Sequence, residues 1–224
     1  MGPTVPFWAL YLAEEAVVAV RVRVTAPDRL EVMEWWTAPV APGGDPAAAA
    51  VAALRRRGHR DHAYQLVLPG RGATCRSCRI SPEDADLSPA ELERELLDFT
   101  PFEGDEALLR TRRLGGPGVL DFRVVGERRG EVGRTEKVFA DAGYALFGIS
   151  SGPAALLTAR ESLRVGPDRG FALEVHGTWT MLASFDGLLS SRYPVPFGLE
   201  DLRRRLAETP GAPSLEDALD GEPG

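Results

Sequence analysis

A chain of 224 residues, 44% hydrophobic and 26% charged, has the composition of a globular protein able to bury one broad core or two modest ones. Its net charge of −7 argues against a nucleic-acid surface, because the 26 basic residues, all arginine except Lys137, are scattered among 33 acidic ones. No apolar run approaches the roughly 18 residues a membrane span needs, the N-terminus lacks a basic region followed by an apolar core, and two cysteines cannot staple a secreted fold, so a cytoplasmic chain is expected.

Three strands open the chain, at Phe7 to Leu12, Ala16 to Val24 and Leu30 to Thr37. The second alternates Val18, Val20, Val22 and Val24 against Ala19, Arg21 and Arg23, which predicts an antiparallel meander. Asp45-Pro46 starts an alanine-rich helix that runs to Arg57 and is stopped by Gly58. Ala63 to Leu68 reads as an apolar strand ending at Pro69-Gly70, and Ala73 to Ile80 as a further extended segment.

The most informative stretch is Leu87 to Leu114. Ser88 and Glu91 form a capping box, Pro89 occupies the first turn, and Leu92, Leu96 and Phe99 recur at helical spacing. Thr100 before Pro101 disfavours further helix, and Phe102 with the Glu103-Gly104-Asp105 turn leads into a strand from Ala107. After the Gly115-Gly116-Pro117-Gly118 turn comes a strand with Leu120, Phe122 and Val124 on one face. A helix from Glu131 to Ala142 follows, with Val132, Thr135, Phe139 and Ala142 on one side and Gly143 as its stop.

Ala145 to Ile149 is a strand, and Pro153 starts a helix with Ala155, Leu156 and Ala159 inward. Asp168 to Gly170 marks a lobe boundary. Phe171 to Val175 and Trp179 to Phe185 are strands joined to a third by the Asp186-Gly187 hairpin signal, and Leu199, Leu202 and Leu206 give the next helix its apolar stripe. Beyond Thr209 the Pro-, Gly- and acid-rich tail offers only Ser214 to Leu219 as a helical turn.

The capped helix ending in an aromatic, the Pro101-Phe102 corner, Val67-Leu68-Pro69-Gly70, Asp141-Ala142-Gly143-Tyr144, Phe185-Asp186-Gly187 and the run Arg192 to Gly198 resemble, in order, the PilM family of actin-like type IV pilus assembly proteins, relatives of FtsA. The resemblance implies an α/β fold with mixed sheets: an actin-like, ribonuclease H-like first lobe (residues 1–63 and 144–167), an inserted strand-helix-strand-strand subdomain (64–143), a partial second lobe (168–208) and a tail (209–224). Family members continue past this point, so either the chain is truncated or the missing part is supplied elsewhere.

In actin-like ATPases two hairpins hold the phosphates, each with an aspartate for Mg²⁺ and a glycine that lets backbone N–H groups approach oxygen. At the first, Tyr11 stands for the aspartate, Ala13 for the glycine, and Glu14 and Glu15 for small hydroxyl residues. A carboxylate about 4 Å from a phosphate costs on the order of 4 kcal/mol at an effective dielectric of roughly 20. At the second, Glu174 stands for the aspartate and His176 for a glycine, while Gly177 and Thr178 are kept. The resemblance thus implies a degenerate nucleotide site, with no cofactor expected and ATP with Mg²⁺ as the lesser alternative.

His59, His62, Cys75 and Cys78 offer zinc-type ligands, but an offset of three in a strand sends the two cysteines to opposite faces, and no metal is expected. No serine lies in a nucleophile elbow, and an enzyme is not the favoured reading. By resemblance, the chain is a bacterial, cytoplasmic, non-catalytic scaffold of a type IV pilus or type II secretion inner-membrane platform. It would be held at the membrane through a partner's cytoplasmic tail, with homo-oligomerisation and a GspL-type cytoplasmic domain as alternatives. The expected partner site is the groove between insert and first lobe, at Leu66, Leu68, Pro101 and Phe102, where an aromatic beside a strand edge suits an extended peptide.

Overall fold

A computed structural model describes residues 5–26, 29–59, 63–70, 72–80, 87–98, 100–114, 121–152, 154–155, 169–186 and 188–211. The chain divides into two compact units, Met1–Asp168 and Arg169–Gly224. Several expectations lie outside the described residues: His62, Phe99, the turn at 115–118, Leu120, Pro153, most of the helix after it, Gly187 and the tail helix at 214–219.

The first unit is built on a five-stranded sheet in the order β3-β2-β1-β4-β8, from β1 (Phe7–Leu12), β2 (Ala16–Ala26), β3 (Arg29–Pro39), β4 (Tyr64–Leu68) and β8 (Leu146–Ser151). The first three form the expected antiparallel meander, whereas β4 runs parallel to both β1 and β8. Alternation sends Trp8, Leu10 and Leu12 of β1 and Tyr64, Leu66 and Leu68 of β4 to one face. There α1 (Pro46–Arg57) and α3 (Arg129–Asp141) complete the core through Ala50, Leu54, Val132 and Phe139. Trp8, Tyr64, Phe139, Leu10, Leu54 and Leu66 are essentially inaccessible to solvent, and each such side chain contributes on the order of 1.5–3 kcal/mol by burial.

Helix α1 is delimited by its own ends. Asp45 accepts a hydrogen bond from the Ala47 N–H at 2.9 Å, Pro46 fills the first turn, and Gly58 takes the left-handed conformation at φ 73°. Arg55, Arg56 and Arg57 stand at the negative end of its dipole, and the Arg57 guanidinium lies 4.9 Å over the Trp36 ring.

The insert is a three-stranded antiparallel sheet in the order β5-β7-β6, from β5 (Thr74–Arg79), β6 (Ala107–Leu114) and β7 (Asp121–Arg128), with α2 (Pro89–Leu97) between β5 and β6. The expected boundaries at 64 and 143 are corrected. β4 is sandwiched between β1 and β8 in the larger sheet, and α3 packs Val132 and Phe139 into the main core, so the strand-helix-strand-strand insert runs from β5 to β7. Strand β4 and helix α3 flank the insert in sequence, and only long-range packing assigns them elsewhere. The Ser88–Glu91 capping box forms as predicted, with the Ser88 N–H donating to Glu91 Oε2 at 2.9 Å. Leu96 is fully buried against Cys78, Ile80, Phe122 and Val124.

The second unit holds an antiparallel sheet, β11-β10-β9, of β9 (Arg169–Val175), β10 (Thr180–Asp186) and β11 (Leu188–Val195), followed by α4 (Leu199–Glu208). No described helix is long and apolar enough to cross a membrane.

Candidate functional site

The first hairpin places Ala13 in the core and leaves Glu14 and Glu15 exposed at the turn between β1 and β2. The Glu15 carbonyl accepts from the Val40 N–H at 2.9 Å, which ties the turn to the end of β3. Tyr11 lies in β1 opposite Val18, on the face away from the α1–α3 core.

The second hairpin is closed by its own helix. His176 and Trp179 stack with ring centroids 3.9 Å apart and only 13° between planes, both buried. The carbonyls of His176 and Gly177 accept the first N–H groups of α4, from Leu199 and Glu200, each at 2.9 Å. Those amides are the orphan donors of a helix N-terminus, the groups that most readily receive a phosphate. Here they are spent on the hairpin. Thr180 Oγ1 donates to the Phe197 carbonyl at 2.6 Å, and Gly198 permits the approach, since a Cβ there would stand 2.5 Å from the Trp179 nitrogen. Thr178 is exposed, and Glu174 pairs through its backbone with Met181. Sequence reasoning missed the partnership between the hairpin and α4; the Phe197-Gly198 pair just before an apolar stripe was its only signal.

Of the zinc-type residues, Cys75 and Cys78 face opposite sides of β5, across from Val125 and Phe122 respectively. Both are buried, Cys78 in the α2-covered core. Burial pushes the Cys78 thiol up, and the nearby Asp121 carboxylate adds to the rise. His59 lies against Trp8, ring centroids 4.8 Å apart, with Nε2 3.8 Å from Glu34.

A groove of about 700 Å³ does lie between insert and first sheet, but its walls are not the expected residues. Leu66 and Leu68 point into the α1–α3 core from a strand paired on both sides, so β4 offers no edge. Pro101 is exposed. Phe102 is buried over Gly126, on the face of the insert sheet that α2 covers. The groove is made instead by the opposite face of that sheet, through Leu108, Arg110, Val125 and Glu127, by Val132 and Glu136 of α3, by Gln65 of β4, and by β8.

Glu127 is the chemically distinctive wall residue. Burial raises its carboxyl above the ordinary glutamate range, Ser151 close by pulls the other way, Glu131 adds to the rise and Arg110 opposes it. Ser151 is fully buried, and hydrogen bonding from both its side chain and its backbone compensates the Glu127 carboxylate in part. Two features could have pointed here from sequence: an acid closing the short apolar run Val124 to Gly126, and the charge-free, proline-free run Leu146 to Ser151.

No protein-family model matches the chain, and no curated protein matches it. Among solved structures, 91% of the chain is similar to a chain of the PilM-PilN type IV pilus biogenesis complex, with TM-score 0.68 and 18% identity, and spans 65% of that chain's length. Over 86% it is similar to the cytoplasmic domain of EpsL, an inner membrane component of the type II secretion system of Vibrio cholerae, with TM-score 0.57 and 14% identity, spanning 71% of it. At such identities a likeness establishes architecture, and the architecture is the mixed α/β, actin-like fold of these pilus and secretion proteins.

Proposed function

We propose that this chain is a non-catalytic scaffold of a type IV pilus or type II secretion inner-membrane platform, which holds the cytoplasmic tail of a membrane partner in the groove between the insert and the first sheet. The observation that carries the reading is the groove itself, an open cleft of about 700 Å³ in a chain with the fold of a protein solved in a PilM-PilN complex. The likeness to EpsL supports the secretion alternative, a GspL-type cytoplasmic domain, to a lesser extent. The EpsL neighbour is named as the cytoplasmic domain of an inner membrane component, and that favours a cytoplasmic protein brought to the inner membrane by its partner. The pseudo-ATPase part of the proposal draws on the second hairpin, which takes up the first N–H groups of α4, and on the two carboxylates of the first.

A photo-crosslinking residue at Phe147, which is 59% exposed beside the groove, tests the partner in the native cell. The same residue at Trp35, exposed on the far edge strand β3, is the control. Crosslinking from Phe147 alone to a protein with a membrane span and a cytoplasmic tail is the expected result. Equal crosslinking from both positions, or crosslinking to soluble proteins only, overturns the assignment.

A further inference from the structure

The five-stranded sheet has a second face, turned away from the α1–α3 core. Cross-strand register sets Val20, Val22 and Val24 of β2 beside Trp35, Val32 and Leu30 of β3 on that face. The charged residues Arg21, Arg23, Glu31 and Glu34 fall on the other side with Trp8 and Trp36, and there Arg23 and Glu31 pair at 3.5 Å. The hairpin is therefore amphipathic, with its apolar side away from the core. Leu30 is 55% exposed, Val32 61% and Trp35 68%. Single exposed apolar residues are ordinary on a surface, but three successive ones on one charge-free strand face form a patch of the kind that marks an interface.

Strand β3 is also the last strand of its sheet, yet its edge is poorly suited to pairing. The register shift between Arg21 and Val22 leaves Met33 without a cross-strand partner, and a bulge of this sort twists an edge away from an incoming strand. What the hairpin offers is its face.

Charge decides among the occupants. Between Val20 and Trp36, Arg21, Arg23 and Arg29 are balanced by Asp28, Glu31 and Glu34, so the hairpin is neutral. A lipid surface or a strongly charged partner is drawn by an excess of one sign, and this hairpin has none. A second copy of the chain carries a net charge of −7, but at a neutral hairpin two copies meet without bringing like charge together. An apolar sheet face is also its own complement: two such faces stack as the layers of a sandwich do, and a two-fold axis sets the same patch on both sides of the contact.

We propose that two copies of this chain associate by packing β2–β3 face on β2–β3 face about a two-fold axis, with Leu30, Val32 and Trp35 at the apolar centre of the contact. A large exposed tryptophan ringed by aliphatic side chains is the usual anchor of such an interface. The contact leaves the groove free, because β3 and β8 stand at opposite ends of the sheet.

Sedimentation of the full chain from low to high micromolar concentration tests this. The wild type should shift from monomer to dimer. Trp35→Glu should weaken the dimer about a hundredfold or more, since a two-fold contact loses its anchor twice and gains two facing carboxylates. E31Q, on the side that carries α1, should leave association unchanged. Because Trp35 is largely exposed, its variant should fold; if its near-UV circular dichroism is lost beyond the one missing indole, Val32→Lys at an equally open position takes its place. A photo-crosslinking residue at Trp35 should join the chain to itself, with the membrane protein still captured from Phe147 alone. A wild type that stays monomeric throughout, a dimer that W35E or V32K leaves intact, or an equal loss in E31Q overturns the proposal. None of these outcomes touches the assignment of the groove.

Discussion

The ring of Phe102 closes over the backbone of Gly126, so near that a Cβ at that glycine would stand 3.1 Å from Phe102 Cε2. Pro101 turns the chain out of α2, and the corner thereby delivers an aromatic to the one place on β7 with no side chain. Phe102 is therefore a core residue of the insert, and the groove lies on the other face of the same sheet.

Phe102→Ala should cost roughly 3–5 kcal/mol, the range for deleting a buried phenylalanine. Urea denaturation measures it. Crosslinking from position 147 should persist in the variant at low temperature. A loss of crosslinking with unchanged stability would return Phe102 to the partner site.

Gly198→Ala should destabilise the second unit by about 1–3 kcal/mol, since a methyl group there meets the Gly177 carbonyl and the Trp179 nitrogen, which are backbone atoms with little room to give. The near-UV signal of Trp179 stacked on His176 reports it directly. An alanine variant with wild-type stability would mean that α4 does not seat on the hairpin as described.

Millimolar ATP with Mg²⁺ should leave the melting temperature unchanged. A ligand at 100 times its Kd stabilises by about 2.7 kcal/mol, which a thermal shift assay resolves easily. Because the first N–H groups of α4 are already given to the second hairpin and carboxylates stand at the first, a clear nucleotide-dependent rise would overturn the pseudo-ATPase proposal.

What could be read in the sequence was mostly what acts locally. Asp45-Pro46 and Gly58 set both ends of α1, and Ser88 with Glu91 set the start of α2, because a cap bonds within a few residues of itself. The alternation in β1 and β2 likewise fixes a meander that only short turns can close. β4 was different: an apolar strand of five residues carries no mark of which sheet it joins, and its parallel pairing with β1 is made across a whole helix. The groove was legible as a place and not as a set of residues. Its walls are the face of β6 and β7 that carries Glu127 and an edge of β8, and both depend on register between segments far apart in the chain.

Glu127→Gln should remove a pH dependence of stability, and the sign follows from the direction of its shift. Burial raises the folded-state pKa above that of the unfolded chain, so between the two values the folded protein holds a proton that the unfolded chain releases. Stability then falls as pH rises through that window, and the loss is complete above the folded pKa. Arg110 and Ser151 lessen the effect and Glu131 deepens it, so all three belong to the same titration. The amide keeps the shape of the protonated acid without the ionisation. The variant should accordingly melt higher than wild type at neutral and mildly alkaline pH, with the difference shrinking as pH falls below the ordinary glutamate range. Melting curves from mildly acidic to mildly alkaline pH check this. A variant less stable than wild type at neutral pH would mean that Glu127 is a compensated carboxylate in the folded chain.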